Sequence, residues 1–221
     1  MTLPDGLDGP QLAAVLLAAA LVLVPGLWHW TRHAATLVHE TGHAAVAVLT
    51  GRRLTGIRLH ADTSGLTVSR GRPRGPGMIA TAAAGYPAPS VVGLALALAV
   101  GTGRVDLALW IALGTLVAVV VHVRNLFGLL VVVVAGGAVV ALVRYATVEV
   151  REPVVLVLAW FLLLAGPRTV VELWGHRRRR RSRTTDADVL ARLTRLPAGV
   201  WNALLLVPGL AAVGVAAGVV G

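Results

Sequence analysis

Cysteine and lysine are both absent from the chain. Without a thiol there is no disulfide framework, no thiolate metal site and no cysteine nucleophile, so any metal must be held by histidine or carboxylate. Charged residues are scarce, at 14% against 57% hydrophobic, and the mean hydropathy is +0.80. That leaves too little polar surface to cover a water-soluble globule of 221 residues, so the solvent for most of the chain is lipid. No stretch is long and polar enough to form a separate soluble domain, and no repeat of fixed period is visible, so residues 1–221 read as a single membrane-embedded domain.

Because lysine is missing, the net charge of +10 rests on arginine alone. Such a balance can mark a nucleic-acid binder, but the distribution points elsewhere. Six arginines fall between Arg52 and Arg74 and nine between Arg168 and Arg195. Two clusters between apolar segments are what the positive-inside bias places in cytoplasmic loops, and no nucleic-acid partner is expected. The run Arg177–Arg181 reads as a solvated or lipid-headgroup-facing stretch.

Apolar segments cover approximately 11–28, 33–50, 78–101, 105–123, 125–143, 153–166 and 198–220. They predict an all-α polytopic protein of about six transmembrane helices in a cell membrane, with lipid as its constant partner. The first segment is preceded by Asp5 and Asp8 rather than a basic region and shows no clear cleavage site, so it is expected to be retained as a span. Segment 33–50 carries three histidines and a glutamate, and its pattern fits a full span, a re-entrant helix or a helix half sunk in the bundle. Within 51–77 the period changes: Ile57 and Leu59, then Leu66 and Val68, alternate with polar neighbours around Asp62-Thr63-Ser64-Gly65. This predicts a small cytoplasmic β-hairpin after the helix of segment 33–50. Pro87 and Pro89 interrupt the next span, either for packing or to shape a cleft. The segment 167–197 reads as an Arg-rich cytoplasmic loop with a capped helix start near Thr185.

The residues that carry chemistry are His39-Glu40-Thr41-Gly42-His43, an H-E-x-x-H motif. On a helix the two histidines lie one turn apart on the same face and can take two positions on zinc. Glu40 then stands beside the metal, placed to accept a proton from water as it attacks a peptide carbonyl and to return it to the leaving amine. His29 and His33 have the same spacing but no following glutamate, and Trp28 and Trp30 flank His29 as aromatics do at a membrane boundary.

A third ligand must come from Asp5, Asp8, Asp62, Asp106, Glu149, Glu152, Glu172, Asp186 or Asp188, or from His60, His122 or His176. If 51–77 is cytoplasmic, alternation sends Asp106, Glu149 and Glu152 to the far side and returns Glu172, Asp186 and Asp188. Asp186 shares a helical face with Leu190 and Leu193 and points toward packed protein, whereas Asp188 shares one with Arg192 and Arg195 toward solvent. Asp186 is therefore the preferred third ligand, the alternative being an acid that merely caps a helix dipole.

This order of features resembles the site-2 protease family of intramembrane zinc metalloproteases, in particular its small bacterial members. The resemblance implies a membrane-embedded Zn2+ held by two histidines and a distant aspartate, cleaving a transmembrane or membrane-proximal peptide. His39 and His43 match the family's histidine ligands and Glu40 its catalytic glutamate. Arg124-Asn125-Leu126-Phe127-Gly128 is similar to the opening of the family's later Asn-containing motif, but no aspartate follows it. Asn125 is expected either to hold substrate backbone or to make a structural hydrogen bond. The expected activity is that of a zinc-dependent intramembrane endopeptidase. The rival expectation is a non-proteolytic membrane scaffold that retains the fold.

Overall fold

The computed structural model describes residues 9–180 and 184–220, without the side chains of 176–180 and 220. Asp5 and Asp8 lie outside the described residues, as do the side chains of His176 and the run Arg177–Arg181. The order of elements is α1 (Gly9–Leu23), α2 (Pro25–Leu49), β1 (Arg53–Leu59), β2 (Gly65–Arg70), α3 (Pro76–Ala83), α4 (Pro87–Gly101), α5 (Val105–Val120), α6 (Leu126–Tyr145), α7 (Val148–Arg180), α8 (Asp186–Thr194) and α9 (Ala198–Val220).

Helix α7 is the axis of the bundle, packed against α1, α4 and α9. The core around it includes Ala18, Ala97, Ala159, Ala165 and Ala216, each with no exposed surface. Small side chains let helix backbones approach closely, which is how a chain rich in alanine packs where lipid removes the hydrophobic drive between helices. Three helices, α6, α7 and α9, are individually long and apolar enough to cross a membrane, and up to five spans result if each bent pair counts as one. Helix α5, with 16 residues, is shorter than the roughly 20 a perpendicular crossing needs.

Several expected boundaries move. Segment 33–50 is the later part of α2, whose upstream break falls at Pro25-Gly26, as those two breakers predict, and α2 meets α1 there at 97°. Pro25 sits in the first helical turn, where its missing N–H costs nothing, so the break falls before it. The span 78–101 divides into α3 and α4, bent by 67° around Ala84–Tyr86. The first half of the expected loop 167–197 is helix, since α7 continues through Pro167 to Arg180. Val170 and Leu173 carry its buried stripe onward, and Arg168 pairs with Glu172 one turn away at 3.3 Å.

The hairpin is present, with β1 and β2 antiparallel and Ile57 opposite Thr67. Ile57 and Leu59 are buried together with Leu37, Val119 and Val132. On β2, Leu66 and Val68 are exposed, and Thr67 faces α2 through a bond to Glu40. A third segment joins the sheet. Ile57 donates to the His122 carbonyl at 2.8 Å and accepts from the Arg124 N–H at 2.9 Å, forming a parallel bridge with Val123. Asn125 extends it with its side chain, donating to the Leu59 carbonyl at 2.6 Å and accepting from the Leu59 N–H at 3.2 Å. The Asn125 amide therefore holds the chain's own backbone, which settles its role as structural. Because Ile57 and Leu59 turn their backbone groups toward 122–125, their partners Thr67 and Gly65 turn theirs to the opposite, outer edge of β2.

These pairings also fix which loops share an end of the bundle. Residues 122–125 lie with the hairpin, and Asp186 reaches α2. Asp106 pairs with Arg151 at 2.6 Å at the other end, and from Arg151 to Glu172 α7 rises about 31 Å, roughly one hydrocarbon thickness. Asp106 and Glu149 thus stand at the end away from the H-E-x-x-H motif, as the alternation of spans requires.

Candidate metal centre

His39 and His43 occupy successive turns of α2, and their Nε2 atoms are 3.1 Å apart. Asp186, the first residue of α8, places Oδ2 at 3.2 Å from each of them. The elements that converge are more than 140 residues apart in sequence, and α8 packs against α3 and α9, with Ala187 and Leu190, both fully buried, in one cluster with Ala82, Val170, Leu173 and Leu205. A tetrahedral ion with ligand distances of about 2.0–2.1 Å sets its donors about 3.3 Å apart, so this triangle fits a metal closely. Protons shared among the three atoms satisfy the same triangle, but His43 has already committed one nitrogen. Its Nδ1 lies 2.6 Å from the Thr81 carbonyl, which can only accept, so Nδ1 carries the proton and Nε2 presents its lone pair in the neutral ring. Asp186 supplies the carboxylate of the triangle. The triangle thus brings one carboxylate and two imidazoles together, three ligand atoms that could hold a metal ion.

Glu40 is buried, and among the described residues its carboxylate is held from the hairpin side. Thr67 on β2 reaches Oε2 at 2.6 Å and the Glu40 backbone carbonyl at 3.1 Å. Gly65 lies directly against the same carboxylate, where a Cβ would meet Oε1, Cγ and Cδ. The hairpin therefore positions Glu40, a task that the motif alone does not disclose. Gly85, at the break between α3 and α4, does the equivalent for the imidazoles: a Cβ there would collide with Nε2 of both His39 and His43. Of the two prolines that follow, Pro89 is fully buried in the packing of the bundle. Tyr86 packs edge-on against the His39 ring with centroids 4.6 Å apart.

A cavity of about 350 Å³ opens beside these groups, running along α2 past His39, Thr36 and Arg32. Its roof is the hairpin turn, tied down by the Thr36 hydroxyl donating to the Thr63 carbonyl at 3.0 Å. Thr63 has φ of 70°, an uncommon conformation for a β-branched residue, which this tie helps to hold.

The other candidates lie elsewhere. His29 packs on Trp30, and His33 on Phe127. Trp28 is buried rather than interfacial, its Nε1 donating to Glu172 at 2.8 Å, while Trp30 is 75% exposed. Asp62 and His60 belong to the hairpin turn, bonded to Ser64. Asp188 is not on a solvent face: it is buried and closes a capping box, accepting from the Thr185 hydroxyl at 2.6 Å and backbone N–H at 3.2 Å. Helical phase separated the two aspartates, but burial of the N-terminal turn of α8 put both inside.

Asp186→Ala and Asp188→Ala should therefore fail differently. Asp186→Ala is expected to lower metal affinity by more than the roughly 10–100-fold that loss of an outer-shell partner costs. Asp188→Ala should leave metal binding within a few-fold and destabilise the fold by about 1 kcal/mol through the lost cap. Isothermal titration with metal, beside thermal unfolding, measures both.

A helical membrane bundle with two histidines and an aspartate converging beside a buried glutamate is the framework of a membrane metalloprotease. The chain belongs to the Peptidase M50B-like family, whose model matches residues 12–216, and thus to the site-2 proteases. No curated protein and no solved structure matches it at a significant level.

Proposed function

We propose that the protein is a zinc-dependent endopeptidase that hydrolyses peptide bonds in or near transmembrane segments. The observation that carries the reading is the triangle of His39, His43 and Asp186 with Glu40 alongside it. His39, His43 and Asp186 hold the ion, which when bound supplies Lewis acidity toward water and a peptide carbonyl. Glu40 is the general base and then the general acid. With Oε2 engaged by Thr67, Oε1 is free to take the proton from the attacking water and to deliver it to the leaving amine.

A substrate helix must unwind before its backbone can be cut, and its freed N–H and C=O groups then need partners in a low-dielectric site. The outer edge of β2, with the backbone groups of Gly65 and Thr67 pointing away from β1, offers them, and a substrate strand added there lies next to Glu40. The whole chain acts as one domain in a cell membrane. The bent pairs α1–α2 and α3–α4, the short α5, and α6, α7 and α9 make six crossings, and the hairpin end faces the cytoplasm with its arginines.

Chelation followed by zinc titration tests the reading. Cleavage of a transmembrane peptide by the detergent-purified protein should vanish on metal removal and return with one zinc per chain. Undiminished cleavage by the metal-free protein would refute it. Stoichiometric zinc binding with no cleavage of any membrane peptide would instead favour a scaffold.

A further inference from the structure

The cavity has a second charged end that the hydrolytic chemistry does not use. Arg32 lines it seven residues before His39 on the same helix, about 10 Å along the axis. The Arg32 guanidinium lies 5.8 Å from the Trp28 ring centroid and makes one ion pair among the described residues, Nη2 to Glu172 Oε2 at 3.3 Å. Its Nε is buried without a hydrogen-bond partner. Glu172 also pairs with Arg168 at 3.3 Å and accepts from Trp28 Nε1 at 2.8 Å, and Arg168 approaches the same indole at 5.9 Å. Two guanidinium groups thus share one carboxylate, and Arg32 stands at the wall of the cavity. A structural ion pair between α2 and α7 needs only one arginine and no cavity. A guanidinium that lines a cleft and shares its counter-ion with a second arginine is suited to receive a carboxylate in the forked geometry.

We infer that the Arg32 end of the cavity is a carboxylate subsite, which selects peptides carrying an acidic group about three residues from the cleaved bond. The spacing follows from the geometry, since an extended peptide advances about 3.3 Å per residue and about 10 Å separates Arg32 from His39. The subsite rests on the proteolytic reading for its purpose, but its binding does not depend on turnover. Glu172 acts as a counter-ion that orients Arg32 and limits its attraction for anions.

The test uses the full-length, zinc-loaded protein in detergent and a set of transmembrane peptides in which one Asp, or Asn as control, is walked through the positions flanking the cleavage site. A second set places the same distance between the bond and a free or amidated C-terminus, which distinguishes an acidic side chain from a terminal carboxylate. The expected result is an Asp-over-Asn or acid-over-amide preference of about tenfold in kcat/KM, confined to a position about three residues from the bond. The preference should fall to near one in Arg32→Gln, be partly kept in Arg32→Lys, and grow in Glu172→Gln. Binding of the same peptides to Glu40→Gln protein, followed by fluorescence anisotropy, should show the same order without cleavage. If peptides are cut with no acid preference at any position, or if Arg32→Gln keeps the preference, the subsite is refuted while the protease reading stands. If no peptide is cut but the Arg32-dependent binding preference persists, the subsite stands and the protease reading fails.

Discussion

Gly85→Ala is expected to strip the protein of metal and abolish cleavage, although residue 85 ligates nothing. The backbone there is not in the left-handed region, so the substitution carries no torsional penalty, and its effect comes from where the methyl lands. It meets Nε2 of both His39 and His43 and Cε1 of His39. Neither ring can yield cheaply: His43 is tied through Nδ1 to the Thr81 carbonyl, and His39 is backed by Tyr86. The methyl therefore occupies the space into which the donor atoms point, or pushes one imidazole out of the triangle. Zinc content measured on the purified variant should drop to below roughly a tenth of wild type, as expected when two of three ligands are disturbed. The metal-free fold should unfold at nearly the wild-type temperature. Gly114→Ala on α5 is the control, because nothing lies within 4 Å of a Cβ there, and it should retain its metal.

The parts of this site legible in the sequence were those set by local geometry. The i, i+4 spacing of His39 and His43 with Glu40 between them needs only a helix to become a half-built metal centre. Asp186 was reachable because span alternation left few acids on the correct side and because Leu190 and Leu193 gave its helical face a direction. The same phase argument misplaced Asp188, since a capping box draws a carboxylate back onto its own backbone whatever the face suggests. Thr67, Gly65 and Gly85 were invisible for a different reason. Their roles arise from contacts between elements distant in sequence, and a glycine chosen to leave room for another residue's side chain has no local signature. The arginine cluster shows the limit of composition. Arg168 was counted among topology charges, yet it shares Glu172 with Arg32 inside the bundle. Helix α7 outran its expected end because Gly166-Pro167 reads as a stop, whereas α4 and α9 pack against α7 and hold it through the proline.

The second large effect is that of Glu40→Gln, which separates hydrolysis from metal binding. Glutamine keeps the shape of the side chain and leaves His39, His43 and Asp186 untouched, so one zinc per chain should remain. It cannot accept the proton from water, and general-base catalysis of this kind contributes about 10²–10⁴-fold. The most direct measurement is therefore the initial rate of transmembrane-peptide cleavage by Glu40→Gln and wild-type protein at equal, independently determined zinc content. A fall of about 10²–10⁴-fold with zinc retained is the result predicted. Equal rates at equal zinc would contradict it.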